Sequence, residues 1–330
     1  MRQVIIFIFL VFTKSLYAQD PIFTQAFTMP ETLNTGFTGA IEGTKAGLIH
    51  RTEWPGIDFS INTQFAFVDT WFDAFDSGVG ISILNHKETN SSYSFTQLNL
   101  NYAIAFQISD KWYFRPSISF GLGSKDYGFQ NLLLEDQIDI NNGIINTSSM
   151  DATLLNEENF FADFSASLLL NNEHSWIGAT FRHLNKPNIS MTYEGETPLG
   201  IFLSVHGLIE IPLSDYFRDH KNSIYLFSNF MKQDKYVRFD FGSQYVFDKF
   251  SIGVSIATNP TKNEYNDSLI TSVNPFIGLK WEGWKFNYSY GFKTSEIGQI
   301  GGAYELAITY EFSAYGSTNS GRRLKCPVFF

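Results

Sequence analysis

Gln97-Leu98-Asn99-Leu100-Asn101-Tyr102-Ala103-Ile104-Ala105-Phe106-Gln107-Ile108 alternates without a break. An extended chain turns successive side chains to opposite faces. Leu98, Leu100, Tyr102, Ile104, Phe106 and Ile108 therefore share one face, and Gln97, Asn99, Asn101, Ala103, Ala105 and Gln107 the other. A soluble sandwich would bury the apolar face and give the polar one to water. A membrane barrel turns the apolar face to lipid and the polar one to its lumen. The stretch is long enough for a tilted bilayer crossing, which takes about 9–11 residues, and exceeds the ~5–6 of globular strands. The polar face is amide and alanine, without the Lys and Glu that an exposed sheet carries for solubility.

The same period recurs along the chain. Tyr304, Leu306, Ile308, Tyr310 and Phe312 alternate with Ala303, Glu305, Ala307, Thr309 and Glu311. Trp284, Phe286, Tyr288, Tyr290 and Phe292 alternate with Lys285, Asn287, Ser289, Gly291 and Lys293, and Val237, Phe239, Phe241, Tyr245 and Phe247 with Arg238, Asp240, Gly242 and Gln244. Aromatics gather at strand ends, as in Trp112-Tyr113-Phe114, Trp281 with Trp284, and Phe312 with Tyr315; interfacial girdles of a barrel are built so. Composition agrees. Aromatics are 17% of the chain and charged residues only 17%, against ~25% in soluble domains. That aromatic content excludes disorder. A formal charge of -10 with no basic run makes nucleic acid a poor partner. One Cys can form neither an internal disulfide nor a Cys-rich zinc site.

Residues 1–18 read as a signal peptide: Met1-Arg2, an apolar run from Val4 to Phe12, and a cut after Ala18. The run is short for a membrane anchor. Strands are expected near 46–53, 58–69, 77–86, 93–108, 111–124, 159–170, 174–184, 201–212, 222–232, 235–247, 250–258, 269–280, 283–293 and 302–312. This is an antiparallel up-and-down outer-membrane β-barrel over 46–312 with an even strand number, about 14. Ser109-Asp110, Asn171-Asn172-Glu173, Asp248-Lys249 and Trp281-Glu282 belong to tight turns. Their alternates 125–158, 185–200, 259–268 and 294–301 are longer, which places both termini in the periplasm. Two connections break the contrast: 213–221 is middling on the inner side, and Gln233-Asp234 short on the outer. Residues 19–45 and 313–330 lack spanning patterns; the first plugs the lumen or lies in the periplasm, and the second is a periplasmic tail. The acidic loop 125–158, with Glu135, Asp136, Asp139, Asp151, Glu157 and Glu158, should reach into solvent.

The inward face carries both signs of charge: Arg115, Asp163, Arg182, Arg238, Asp240, Lys280, Glu305 and Glu311, with Lys285 and Lys293. A mixed set suits a bracing network or a polar pore. An inward apolar set, which a channel for hydrophobic solutes needs, is not expected. The six His show no H-x-x-x-H spacing and none adjoins Cys. Ser204 and His206 share a strand face but lack an identifiable third group. No enzyme activity, metal or cofactor is expected.

Several segments resemble, in order, those of one family. Gln19-Asp20-Pro21-Ile22-Phe23-Thr24-Gln25 resembles the mature opening of the PorP/SprF outer-membrane proteins of type IX secretion and gliding motility in Bacteroidota. Leu33-Asn34-Thr35-Gly36-Phe37-Thr38-Gly39 is similar to the family's Leu-Asn-Pro-Ala-x-x-Gly, with Thr35 and Gly36 replacing Pro-Ala. Arg51-Thr52-Glu53-Trp54-Pro55 is similar to its Arg-x-Gln-Trp, and His183-Leu184-Asn185-Lys186-Pro187 to its His-Leu-x-x-Pro. Gly301-Gly302-Ala303-Tyr304-Glu305 resembles the Gly-Ser-His-Glu before the last strand, and Cys326-Pro327 the terminal Cys-Pro-x-Phe. The resemblance implies a non-enzymatic barrel in outer-membrane lipid that works with the type IX machinery. An SprF-like member would partner one secreted adhesin, helping to export or attach it. A PorP-like member would be a core subunit linking the outer membrane to the periplasmic ring. A channel for small hydrophobic solutes is a further alternative. Trp54, Pro55, His183 and Pro187 are candidate extracellular partner contacts; Asp20, Pro21, Cys326 and Pro327 are candidate periplasmic contacts.

Overall fold

The computed structural model describes residues 20–41, 43–56, 60–89, 93–126, 137–139, 144–145, 158–191, 195–213, 222–261, 269–294 and 301–312. Expectations placed on 1–18, most of 125–158, the turn within 213–221, and the tail with Tyr315, Cys326 and Pro327 lie outside these residues.

The wall is one antiparallel sheet closed on itself. In chain order its strands are β1 (Thr44–Glu53), β2 (Ile61–Phe72), β3 (Ser77–Glu88), β4 (Ser94–Ile104, resuming at Phe106–Gln107) and β5 (Tyr113–Asp126). There follow β6 (Glu158–Asn171), β7 (Ser175–Arg182), β8 (Phe202–Leu213), β9 (Asn222–Gln233) and β10 (Tyr236–Phe247). The last four are β11 (Phe250–Thr258), β12 (Ile270–Trp281), β13 (Trp284–Lys293) and β14 (Ala303–Phe312). Each strand pairs with its chain neighbours, and β1 closes on β14 through Thr44↔Phe312 to Glu53↔Ala303. Closure leaves no unpaired edge in hydrocarbon, where such an edge is prohibitive. A separate small ribbon pairs Ile138–Asp139 with Ile144–Ile145.

The strands lie close to the expected spans, and the differences have local causes. β4 breaks at Ala105 because its N–H turns to the carbonyl of Asp76, 2.9 Å away in the neighbouring turn. β7 stops at Arg182 because His183 and Lys186 take left-handed backbone, φ 59° and 45°. The tight turns at Asp248 and Glu282 are left-handed too, φ 53° and 54°; short hairpin loops demand this and Asp tolerates it. Both ends of the wall, Thr44 and Phe312, lie at the same mouth as these turns, here the short-turn end; the opposite mouth is the long-loop end.

Facing follows the alternation. Leu98, Leu100 and Tyr102 are exposed on the outside, as are Phe239, Phe241, Tyr245, Tyr288, Tyr304 and Leu306. Gln97, Asn287, Ser289 and Thr309 are buried inside. One expectation is corrected. The inward face does carry an apolar layer: Phe65, Phe67, Trp176, Leu208, Phe227, Val246 and Phe276 form one buried cluster. They pack on the N-terminal segment, so inward apolar side chains here meet protein rather than an empty channel.

Leu100→Arg puts a charge on the lipid face and should destabilise the barrel by about 2–4 kcal/mol at mid-bilayer depth. Asn101→Arg, on the polar inward face beside the cavity, should lower the urea midpoint of heat-modifiable gel migration far less. Equal damage would contradict the facing.

Candidate functional site

Residues 20–41 cannot form a spanning strand, since Pro21 and Pro30 interrupt them and no alternation runs through. They fold as compact turns with two short 3-10 turns, Pro30–Thr32 and Thr35–Phe37. Thr28 and Thr32 hydroxyls donate to the carbonyls of Gln25 and Met29, each at 2.8 Å, so local side chains satisfy local backbone. The segment lies inside the barrel. Met29 and Phe37 have no exposed surface, and Phe23, Phe27 and Leu33 are buried with them. Phe27 meets Phe227 with ring centroids 4.3 Å apart, and Phe37 meets Trp176 edge-on at 5.1 Å.

Polar contacts fix this plug at three heights. At the long-loop end, Asp20 sits 2.9 Å from His183 and 3.4 Å from Arg182, and its N–H donates to Gln233. Asp163 lies 3.0 Å from the other ring nitrogen of His183 and accepts from Gln97 at 3.0 Å. Asp20 and His183 are outside the membrane-crossing strands. Burial alone would raise the Asp20 carboxyl, but His183 and Arg182 outweigh it and hold it far below the usual range. Burial likewise opposes the charged imidazole, yet Asp20 and Asp163 lift His183 to about 9. His183 is thus a cation between two carboxylates at neutral pH.

Also near the long-loop end, on the β1–β14 side, Glu305 accepts from the N–H groups of Thr24 and Gln25 at 2.7 and 2.9 Å, and pairs with Arg51. Arg51 reaches Glu53 at 2.8 Å, Lys293 meets Glu53 at 2.8 Å, and Lys293 stands 4.2 Å over the Trp54 ring. This chain of charges joins the plug to the Trp54 turn. At mid-height on the opposite side of the barrel, Asn34 accepts from the Gly36 N–H and gives its amide protons to Leu168 O and the Nε2 of His206. Ser204 donates to Asn229, leaving its oxygen to accept from His206 Nδ1. Both nitrogens of His206 are therefore committed. The Ser204 proton points to an amide, not to a base, which is not the arrangement of an activated nucleophile.

At the short-turn end, Arg115 is wholly buried and donates to the carbonyls of Gly36 and Thr38, each at 2.8 Å. The Gly39 N–H donates to Asp69, and Lys45 pairs with Glu31 at 2.7 Å. Gly39 is left-handed (φ 61°), and a Cβ on Gly78 would stand 2.1 Å from Thr38 O, so the backbones touch only because that position lacks a side chain. A cavity of about 100 Å3 remains beside the plug, walled by Ser82, Gln97, Asn99, Asn101 and Phe95.

Of the inward charges read from sequence, Arg115, Asp163, Arg182 and Glu305 converge on the plug or on its His183 anchor. Arg238 and Asp240 pair with each other at 2.7 Å. Glu311 pairs with Lys285 at 2.5 Å, and Lys280 is half-buried across from Lys285. Five of the candidate contacts are buried or half-buried. Asp20 is a lumen residue near the long-loop end, held there by His183 and Arg182, and Pro21 follows it inside. His183 and Pro187 are buried, so neither offers a surface to a partner. The loop after His183 folds inward, with Ile189 and Leu199 packed on Phe161. Trp54 is half-buried and Pro55 exposed. Lys45, Glu31 and Asp69 carry no sequence signal of this role, and Arg51 is marked only by its motif. Among the described residues no group of three or more His, Cys, Asp or Glu is arranged to hold a metal.

Residues 15–310 match the family described as type IX secretion system membrane protein PorP/SprF. No curated protein matches the chain. Among solved structures, a Pseudomonas aeruginosa FadL homologue is 12% identical, covering 91% of this chain and 96% of its own, with a TM-score of 0.44. Acinetobacter baumannii outer membrane protein Omp33 is 7% identical over 83% of this chain and 100% of its own (TM-score 0.44). The Pseudomonas putida toluene transporter TodX is 10% identical over 90% and 94% (TM-score 0.43). A closed barrel with an apolar exterior, in a chain matching this family, resides in the outer membrane.

Gly78→Ala should push the Thr38 turn off the wall, and Arg115→Met should leave two buried carbonyls unpaired, each costing roughly 1–3 kcal/mol. Both variants should keep heat-modifiable migration while the segment 20–41 becomes cleavable by added protease. Protection equal to that of the unaltered protein would contradict the plug geometry.

Proposed function

Because the chain belongs to the PorP/SprF family of type IX secretion system membrane proteins, we propose that it serves that machinery as a sealed docking barrel. In this reading it is the SprF-like partner of a secreted adhesin with a C-terminal signal domain, and it supports export or surface attachment of that adhesin. Gliding motility or adhesion follows. The PorP/SprF family is not known for enzymatic activity.

The observation that carries the reading is the filled lumen. A folded or extended cargo would have to displace a segment held by Glu305, Arg115, Asn34 and the Asp20–His183 pair. A barrel filled by its own chain acts through its surfaces. The short turns are taken to face the periplasm, as in bacterial barrels generally, which turns the long-loop end outward. There Pro55 is exposed, and Trp54 links it through Lys293, Glu53 and Arg51 to the plug. This turn is the first contact we assign to the adhesin side. A PorP-like core role would instead draw on the periplasmic face, to which the tail 313–330 with Cys326 and Pro327 would contribute.

Deleting the gene and cataloguing type IX cargo on the cell surface separates the two. Loss of one adhesin with the rest retained is expected; loss of all cargo would replace the partner role by the core role. In planar bilayers the purified barrel should pass no steady current, and uptake of small hydrophobic solutes by reconstituted vesicles should not exceed that of empty ones. Current or uptake would favour a channel.

A further inference from the structure

The amides of β4 do not hold the plug. Gln97, Asn99 and Asn101 face the lumen, yet among the described residues their side-chain hydrogen bonds run only to the wall. Gln97 donates to Asn99 at 2.9 Å and to Asp163 at 3.0 Å. Asn101 donates to Ser82 at 3.0 Å and accepts from Ser119 at 2.7 Å. The inward neighbours on β3, β5 and β6 are short: Gly80 and Ser82, Ser119 and Gly121, and Ser165. A Cβ on Gly121 would stand 2.5 Å from the Asn99 and Gln97 amides, so this ladder lies flat against the wall only because that position is bare. Across the lumen the wall sends in Trp176, Leu208, Phe227 and Phe276 to meet the plug. On the β3–β6 arc it stops short, and the cavity of about 100 Å3 is the space left between.

This chamber extends from Asp20 and His183 to Thr38 and Gly80. The Asp20–His183 contact stands at one end of it and the close approach of Thr38 to Gly78 at the other. Its walls hold unused hydrogen-bonding groups of both kinds. Among the described residues Asn99 Nδ2 gives no hydrogen bond and Gln97 Oε1 accepts none, and the hydroxyls of Ser165 and of Thr35 on the plug are uncommitted. Its charges are answered: Asp163 pairs with His183, Arg182 with Asp20, and Asp69 lies across from Lys45. An ion would therefore enter without a counter-charge, and an apolar solute would leave the amides unpaired. Hydroxyls both donate and accept, so an uncharged molecule carrying several of them answers both kinds of group. The Phe95 ring at the margin offers its face to the C–H bonds of such a molecule. One water needs about 10–15 Å3 and a cavity of ~150 Å3 takes benzene, so this chamber suits several waters or one polyol of about four to six heavy atoms.

We propose that the chamber is a binding site for a small uncharged polyol of the size of glycerol. Bound there, it lies between the β4 amides and Thr35 of the plug, and joins the two. The inference stands on the inward facing of β4 and is independent of the adhesin reading.

Glycerol is the probe, and sorbitol, too large for the chamber, is the control. In the purified barrel the urea midpoint of heat-modifiable migration should rise steeply at low glycerol and then flatten, as ligand linkage requires. Sorbitol should give only the steady rise of an excluded co-solvent. Asn99→Leu, which turns an apolar side chain into the chamber, should remove the steep component and leave the steady one. Ser165→Val makes the same test from β6 should Asn99→Leu fail to fold. A steady rise with glycerol in the unaltered barrel, matching that of the variant, would mean that water alone fills the chamber and would overturn the proposal. An equally steep early rise with sorbitol would overturn it too.

Discussion

A sheet in hydrocarbon must leave no backbone group unpaired, and the rest of this molecule follows from that. The pairing of β1 with β14 and of β4 with β5 removes every edge. Closure creates an interior that must also be satisfied. A ring of this size is too wide for its own side chains to fill, so the chain supplies more of itself. The plug brings backbone carbonyls and N–H groups into a water-poor space, and the inward charges answer them: Arg115 for the carbonyls of Gly36 and Thr38, Glu305 for the N–H groups of Thr24 and Gln25.

The wall was legible because its signal is local. Alternation in β4, β10, β13 and β14 assigns each residue a side within a few positions, and the turns announce themselves. Turn chemistry at His183 and Lys186 trimmed β7, and one stray hydrogen bond at Ala105 split β4. The interior was less legible because its contacts join distant positions. Nothing near Asp20 in the chain points to His183, and nothing near Thr24 points to Glu305. The signal that could have found the plug lies in β1 and β2. There Phe65 and Phe67 alternate with Gln64 and Ala66 as in the other strands, but with the sides exchanged. A strand whose greasy face looks inward needs something greasy inside, and Phe23, Phe27 and Phe37 are the nearest supply.

The charged residues divide by what they hold. Arg238 with Asp240 and Lys285 with Glu311 neutralise each other and need no third party. Glu305, by contrast, is shared between Arg51 and two backbone donors, and the relay through Glu53 and Lys293 ends under Trp54. Removing one member leaves a buried charge without its partner, which is far more damaging than losing a surface pair. The motif Arg51-Thr52-Glu53-Trp54 therefore has a structural reason for its composition: Arg51 and Glu53 point inward and reach respectively to Glu305, which holds the plug, and to Lys293.

Glu305 belongs to the final strand of the wall, some 280 positions after the backbone it grips. During biogenesis the leading segment cannot be locked until the trailing strand has arrived, and that same arrival seals the seam against β1. Shutting the cylinder and completing the stopper's hold thus become one event, so a polypeptide truncated before β14 has an open wall and a plug missing its Glu305 grip, and should be recognisable to quality-control proteases as unfinished.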